Sequence, residues 1–224
     1  MTGNKPKIRR NGDIKQALMR QLLIATTNRG KLPEIREIMA TSSLEIICLE
    51  DALRLGLLDS FPAVVEDGGT FEANALKKAI EIMRRSGVTT LADDSGLEID
   101  FLGGQPGVDS AYFMGLDTPY SKRNAHIIEV MRGADGEARS ARFVCVIAVA
   151  FADGRTFTAR GECAGRIAYK PMGDGGFGYD PIFFVPQLGK TFGQLSSHEK
   201  NAVSHRAAAL RNIKDLLSRK GLCL

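Results

Sequence analysis

The chain has 224 residues, of which 44% are hydrophobic and 25% are charged, as expected for a globular protein with a substantial core. No apolar run approaches the ~20 residues of a membrane-spanning helix, and the first twenty residues lack the hydrophobic segment of a signal peptide. We therefore expect a cytoplasmic protein without a membrane partner.

The net charge of +4 is concentrated at the N-terminus. Residues 1–21 carry six Lys or Arg side chains against Asp13, a net charge of +5, which leaves −1 for the remainder. That balance argues against nucleic acid as a partner of the folded part. We interpret residues 1–21 as a basic extension: a disordered arm, an expression remnant, or the result of a start assigned too early. We favour the last, because Met19 directly precedes the first strand-like run. Residues 22–224 are predicted to form one domain.

The first half of the chain alternates between strand and helix patterns. Residues 22–25 predict a buried strand, 26–30 a turn, 31–39 a helix and 44–49 a second strand. Residues 50–69 look irregular.

A longer helix is expected over residues 71–85, capped by Thr70 and ended by Gly87. A strand with Asp93-Asp94 follows, and then a glycine-rich loop over 103–107.

The second half begins with a predicted helix over 121–131. Residues 141–151 form the strongest strand pattern, and the continuous apolar run 144–150 predicts burial on both faces. Asp153-Gly154 is a hairpin signal leading to a strand over 156–160.

The C-terminal part contains a second glycine-rich loop at 173–180, a strand at 182–185, a capping box at 196–199 and a helix over 203–218. Strands alternating with helices, combined with a hairpin, predict an α/β fold with a mixed sheet.

The cysteines offer no sign of disulfide or zinc chemistry. None forms a Cys-x-x-Cys pair, and the three histidines have no metal-ligand spacing with cysteine. Cys145 lies in an apolar run and is interpreted as a small core residue rather than a nucleophile.

The adjacent carboxylates Asp93 and Asp94 are the most informative pair in the chain. Neighbouring negative charges repel, so a fold tolerates them at a solvated edge or beside a cation. Mg²⁺ is the obvious cation, because it takes one or two carboxylates when phosphate supplies further ligands. The alternative is a solvated turn. Asp94-Ser95-Gly96 is not a Gly-x-Ser-x-Gly elbow, so no serine hydrolase is indicated.

Three further segments could contact a nucleotide. The loop 26–31 places backbone donors and Lys31 at a helix N-terminus, which suits phosphate, although Leu32 stands where a Walker loop has Ser or Thr. The glycine-rich loop 173–181 carries aromatic side chains that could stack on a base. The cluster 199–206 adds cationic and imidazole donors. The alternatives are a capped helix for 26–31, a surface loop for 173–181 and an exposed turn for 199–206.

Five motifs occur in a fixed order. They are Ala-Thr-x-Asn-x-Gly-Lys, Glu-Asp-Gly-Gly-Thr-Phe-Glu-Ala-Asn-Ala, Ala-Asp-Asp-Ser-Gly-Leu, Gly-Gly-Phe-Gly-Tyr-Asp-Pro-Ile-Phe and Glu-Lys-x-x-x-Ser-His-Arg. In this order they resemble the inosine triphosphate pyrophosphatase (Ham1-like) family, from about Leu22 to Leu217.

The resemblance implies hydrolysis of noncanonical purine nucleoside triphosphates (ITP, dITP, XTP and dXTP) to the monophosphate and pyrophosphate, with Mg²⁺ as cofactor. Water would attack the α-phosphorus. The implied fold is an elongated mixed sheet flanked by helices, in two lobes with a central cleft, and the implied assembly is a homodimer.

The resemblance also implies roles for individual residues. Asp94 would be the catalytic acceptor and, with Glu66, a metal ligand, supported by Asp93. The substrate contacts would be Thr26, Thr27, Asn28, Arg29, Gly30, Lys31, Ser95, Phe177, Gly178, Tyr179, Asp180, Lys200, His205 and Arg206. Tyr112 departs from the pattern, because the family has arginine after Ser-Ala.

Two other functions remain open from the sequence. A Maf-like pyrophosphatase would prefer modified or pyrimidine nucleotides. A nucleotide sensor would bind without catalysis, although a pure binder needs fewer acidic residues beside a polyphosphate.

Overall fold

The computed structural model describes residues 21–40 and 44–222; all but the last residue of the predicted basic extension, and with it Met19, lies outside these ranges. The strands are β1 (Gln21–Ile24), β2 (Glu45–Cys48), β3 (Thr90–Ile99), β4 (Ser140–Ala150), β5 (Thr156–Ile167), β6 (Phe183–Val185) and β7 (Lys190–Thr191). The α-helices are α1 (Lys31–Met39), α2 (Leu49–Arg54), α3 (Phe71–Ser86), α4 (Tyr120–Val130), α5 (Ser197–Val203) and α6 (His205–Arg219). Within the described ranges, none of these helices has the length and apolarity needed to cross a membrane.

The seven strands form one sheet in the order β2-β1-β3-β4-β5-β6-β7. β1 runs parallel to both β2 and β3, whereas the pairings from β3 through β7 are antiparallel. The α/β fold with a mixed sheet is therefore confirmed.

The central strand β4 is buried on both faces, as its continuous apolar run predicts. Side chains alternate across a strand, so successive residues of β4 enter different cores. Val144, Val146 and Ala148 pack in the cluster that contains α3, and Cys145 and Ile147 pack in the cluster that contains α6. Burial raises the pKa of the Cys145 thiol to about 12, in keeping with a core residue that is not a nucleophile.

The boundaries of α3 follow the sequence signals. The Thr70 hydroxyl accepts a hydrogen bond from the backbone N–H of Ala73 at 3.1 Å, and Gly87 ends the helix with a φ of 69°. A left-handed φ favours glycine, which explains the stop. The helix therefore begins at Phe71, directly after its cap.

Three elements differ from the predictions. α2 occupies part of the segment 50–69, predicted to be irregular; the Asp51 carboxylate accepts a hydrogen bond from the Cys48 N–H at 3.1 Å and so caps it. The helix predicted over 203–218 is α6 and begins two residues later, because the Ser204 side chain accepts from the Ala207 N–H and caps it, while the capping box at 196–199 starts the separate short helix α5. β5 continues to Ile167, well beyond the predicted end at residue 160.

Gly161 lets α6 lie directly on β5. A Cβ at this position would stand 2.2 Å from the Ala209 nitrogen and 2.4 Å from the His205 carbonyl oxygen. We expect Gly161→Ala to displace α6 and lower the free energy of unfolding by about 2 kcal/mol, as overpacking against a rigid backbone does. Urea unfolding measures this. Gly133→Ala, where a Cβ meets no atom within 4 Å, is the matched control; equal stability of the two variants would contradict the prediction.

Candidate active site

Two adjoining cavities lie beside β3, near the ends of β1 and α1. The larger cavity, about 340 Å³, is bordered by the β1–α1 loop, by α3 and by the acidic pair of β3. The smaller cavity, about 80 Å³, lies between β3, the glycine-rich loop 173–180 and the start of α6. Asn28, Lys31, Ser95 and Ala111 line both cavities, so one elongated ligand can occupy the two together.

Asp93 is a buried ion-pair partner. Its Oδ2 atom lies 2.8 Å from Lys31 Nζ and 3.5 Å from an Arg206 guanidinium nitrogen. Burial alone would raise the pKa of Asp93, but the charges of Lys31 and Arg206 outweigh burial and hold the pKa well below its usual range. Asp93 therefore stays ionised and fixes the two cations.

Asp94 points to the other face of the sheet, toward α3. Lys78 Nζ lies 3.1 Å from its Oδ1 atom and 2.6 Å from Glu66 Oε1, and Asn74 donates to Asp94 Oδ2 at 3.3 Å. Burial raises the pKa of Asp94, and the Glu66 charge raises it further, while Lys78 opposes both. A carboxylate with a raised pKa is better suited to accept a proton.

Glu66 and Asp94 fit the chemistry of Mg²⁺. Both offer hard oxygen ligands, and they lie close enough to share one ammonium group. In the described ranges no cluster of three or more His, Cys, Asp or Glu could hold a metal. Two carboxylates would therefore need phosphate oxygens and water to complete the coordination, which is the usual situation for Mg²⁺ in nucleotide sites.

The β1–α1 loop is ordered by its own side chains. Asn28 Oδ1 accepts from the Gly30 N–H at 2.9 Å, and Thr26 Oγ1 accepts from the Asn28 N–H at 3.2 Å. No side chain caps α1; the Lys31 N–H donates to the Asn28 carbonyl at 3.1 Å, and Pro33 has no N–H to offer a ligand. Of the residues predicted here, Thr26, Thr27, Asn28 and Lys31 line the larger cavity, whereas Arg29 and Gly30 line neither cavity.

Lys200 belongs to the smaller cavity rather than to the larger one. Its Nζ atom lies 2.7 Å from Asp180 Oδ2 and 2.8 Å from Glu34 Oε1, and it stands 4.6 Å from the centre of the Phe177 ring. Asp180 also accepts from the Phe177 N–H at 2.8 Å. The predicted contacts Phe177, Asp180 and Lys200 therefore form one hydrogen-bonded wall.

His205 and Arg206 begin α6 and are both buried. Arg206 is paired with Glu34 and donates to Ser95 Oγ at 3.2 Å, yet its Nε atom and His205 Nδ1 have no hydrogen-bond partner among the described residues. Burial and the neighbouring cations lower the pKa of His205 well below 6.5, so the imidazole is neutral. Both residues line the smaller cavity, and a polar ligand there would offer partners to their polar atoms.

The environment of Tyr179 differs from the base-stacking role predicted for the aromatic residues of the glycine-rich loop 173–181. It is 3% exposed, its hydroxyl donates to the Ser110 carbonyl at 2.8 Å, and its ring packs edge-on against Tyr120. Tyr179 and Gly178 line the smaller cavity, and the half-buried Phe177 has the more accessible ring of the two aromatic residues.

The residue roles drawn from the sequence omit Lys78, Asn74 and Glu34, which pair with the predicted site residues. Asn74 and Lys78 are four residues apart on α3 and so share one face, which is a signal visible in the sequence. Glu34 lies on α1, one turn after Lys31, and its role depends on contacts with α5 and α6 that only the fold reveals.

The neutral state of His205 predicts a pH dependence of stability. In the unfolded chain the imidazole has its ordinary pKa near 6.5 and binds a proton below it, whereas the native site resists protonation. The unfolded state then binds more protons, so stability falls as the pH drops below 6.5, by up to about 1.4 kcal/mol per pH unit. Urea unfolding between pH 5 and 8 should show a steeper loss for the wild type than for His205→Phe. Parallel curves would contradict the prediction.

Comparisons with known proteins show the family to which the chain belongs. The model of the Ham1 family matches residues 22–216. The dITP/XTP pyrophosphatase of Desulforamulus reducens is 42% identical over 89% of this chain and 96% of its own, and that of Geobacter sulfurreducens is 44% identical over 91% and 100%. The structure of a HAM1 protein from Coxiella burnetii superposes with a TM-score of 0.78 at 35% identity, covering 90% of this chain and 100% of its own. The chain therefore belongs to the Ham1 family.

Proposed function

We propose that this chain hydrolyses noncanonical purine nucleoside triphosphates such as dITP, ITP, XTP and dXTP to the monophosphate and pyrophosphate, with Mg²⁺ as cofactor. The observation that carries the proposal is the shared wall formed by Asn28, Lys31 and Ser95. This wall connects the larger cavity, which is lined by carboxylates and ammonium groups, with the smaller cavity, which is lined by His205 and Arg206. The relatives' names, dITP/XTP pyrophosphatase, support the same activity.

The charges of the site favour a divalent cation together with the substrate. Lys31, Lys78, Lys200 and Arg206 line the two cavities together with Glu66, Asp93, Asp94 and Asp180, and Glu34 pairs with Lys200 and Arg206 beside them. Fully ionised they sum to −1, so a triphosphate would meet no net positive charge. Mg²⁺ held by Asp94 and Glu66 would neutralise phosphate charge and make a bound water more acidic.

The chain's own residues would then handle the proton and the phosphate charge. Asp94 accepts the proton of the attacking water, consistent with its raised pKa. Lys31 and Lys78, each within 3.1 Å of a carboxylate of the acidic pair, stabilise negative charge that develops on the phosphate oxygens.

Selection of the base follows from hydrogen-bond polarity in the smaller cavity. Hypoxanthine and xanthine present an acceptor at position 6, which can receive hydrogen bonds from Arg206 and His205. Adenine presents an amino donor there, and each buried donor left unpaired costs about 1–3 kcal/mol. ATP is therefore rejected, while guanine, which shares the acceptor, must be excluded near its 2-amino group.

The test is hydrolysis of ITP with and without Mg²⁺, with identification of the phosphate product. We expect pyrophosphate, a strict need for the divalent cation and a strong preference for ITP, dITP and XTP over ATP and dGTP. Release of orthophosphate would contradict the proposal. Preference for dUTP or modified dTTP would favour the Maf-like alternative, and tight binding without turnover would favour a sensor.

The proposal includes three finer points that accompany the activity. Residues 22–224 act as one catalytic domain, the protein acts in the cytoplasm, and it assembles as a homodimer. Light scattering coupled to gel filtration would test the assembly, with a mass twice that of the chain as the expected result.

A further inference from the structure

Tyr112 lies in the wall of the larger cavity, together with Glu66, Lys78 and Asp94. Its side chain is 42% exposed, so a ligand in the cavity can reach it. The hydroxyl has no hydrogen-bond partner in the part of the chain that the structure describes, whereas the hydroxyl of Tyr179 on the neighbouring loop is bonded to the Ser110 carbonyl. Tyr112 is thus an uncommitted donor beside the acidic residues.

The cations of the same cavity are already engaged. Lys31 is paired with Asp93, and Lys78 is paired with both Glu66 and Asp94. A phosphate chain that enters the cavity must share these ammonium groups with carboxylates. A neutral donor that is free of such competition, such as the Tyr112 hydroxyl, therefore adds binding that the paired lysines do not supply.

The loop that presents Tyr112 is fixed in place by Arg123. This buried guanidinium, from α4, donates hydrogen bonds to the carbonyls of Ser110, Ala111, Gly115, Leu116 and Thr118 at distances of 2.8–3.4 Å. Because these carbonyls flank Tyr112 on both sides, the backbone that carries its side chain is held in place before a ligand binds. The loop is preorganised.

We propose that Tyr112 is a substrate-binding residue whose hydroxyl donates a hydrogen bond to the phosphate chain in the larger cavity. The proposal rests on the proposed pyrophosphatase activity and adds a residue from the loop after β3 to contacts that otherwise come from the β1–α1 loop and α3. Burial, together with the charges of Glu66 and Asp94, raises the pKa of the phenol, so it remains a donor at neutral pH.

Tyr112→Phe tests the proposal, because it removes only the hydroxyl. We expect the KM for ITP and the inhibition constant of inorganic pyrophosphate to rise together, by about tenfold, the change that corresponds to about 1.4 kcal/mol. The value of kcat and the inhibition constant of inosine monophosphate should stay within about twofold, because the base pocket and Asp94 are untouched.

Tyr169→Phe is the matched control, since Tyr169 is exposed and its hydroxyl donates to Asp135, outside both cavities. A Tyr112→Phe enzyme with the wild-type KM and the wild-type inhibition by pyrophosphate would overturn the proposal. So would weaker inhibition by inosine monophosphate alone, which would place the residue at the nucleoside. Failure of the wild type to release pyrophosphate from ITP would instead overturn the proposed activity.

Discussion

Asp94→Asn is expected to lower kcat for ITP hydrolysis by about 10²–10⁴-fold, the usual contribution of a positioned general base. The variant keeps the size of the side chain and its hydrogen-bonding contact with Asn74, but it cannot accept a proton from water. It also removes one oxygen charge offered to Mg²⁺. Binding of the triphosphate should persist, because Glu66 still offers a carboxylate to Mg²⁺ and the loss of a negative charge beside Lys78 leaves that ammonium group freer to attract phosphate.

Single-turnover kinetics with ITP measure the chemical step, and calorimetry with a non-hydrolysable α,β-methylene analogue measures binding. Asp153→Asn, in the exposed β4–β5 turn, is the matched control and should retain wild-type kinetics. An Asp94→Asn enzyme that turns over at close to the wild-type rate would show that another group accepts the proton.

Patterns local in the chain were sufficient for much of the fold. The apolar run of β4 predicted a strand buried on both faces, and Thr70 with Gly87 predicted both ends of α3. Helix α2 was not predicted because its N-terminal cap is unusual. Its cap combines the Cys48 N–H with the Asp51 carboxylate, and cysteine is not among the residues that signal a helix start.

The different roles of the two acidic neighbours on β3 could not be predicted from the sequence. Asp93 and Asp94 are neighbours in the chain, yet the pleat of β3 sends one toward Lys31 and Arg206 and the other toward Lys78. Which face each side chain enters depends on sheet pairings with distant strands. The sequence therefore predicted an acidic site, but only the fold distinguishes a structural ion-pair partner from a candidate base.

Lys200 shows the same limit for partners far apart in the chain. Sequence reasoning named it as one of many substrate contacts, and the structure places it in the smaller cavity between Asp180 and Glu34. Its partners are 20 and 166 residues away, and no local pattern indicates either pairing. Of the two lysines, only Lys31 borders both cavities. It therefore connects the acidic residues of the larger cavity with the cationic residues of the smaller one.

Arg206→Met is expected to lower the free energy of unfolding by about 3 kcal/mol, the lower end of the cost of removing one partner from a buried ion pair. Arg206 is 1% exposed and contacts both Glu34 and Asp93, so its loss leaves two buried carboxylates with less positive charge nearby. Lys200 still neutralises Glu34 and Lys31 still neutralises Asp93, which keeps the expected loss from being larger.

Urea unfolding of Arg206→Met and of Arg155→Met separates this effect from the loss of any arginine. Arg155 pairs with Asp153 at the surface, so its replacement should leave the denaturation midpoint unchanged. Equal midpoints for the two variants would mean that the carboxylates around Arg206 find other compensation, and the ion pairs would then serve the substrate rather than the fold. A large loss for Arg206→Met alone would mean that a side chain lining the smaller cavity also supports the fold through its two buried ion pairs.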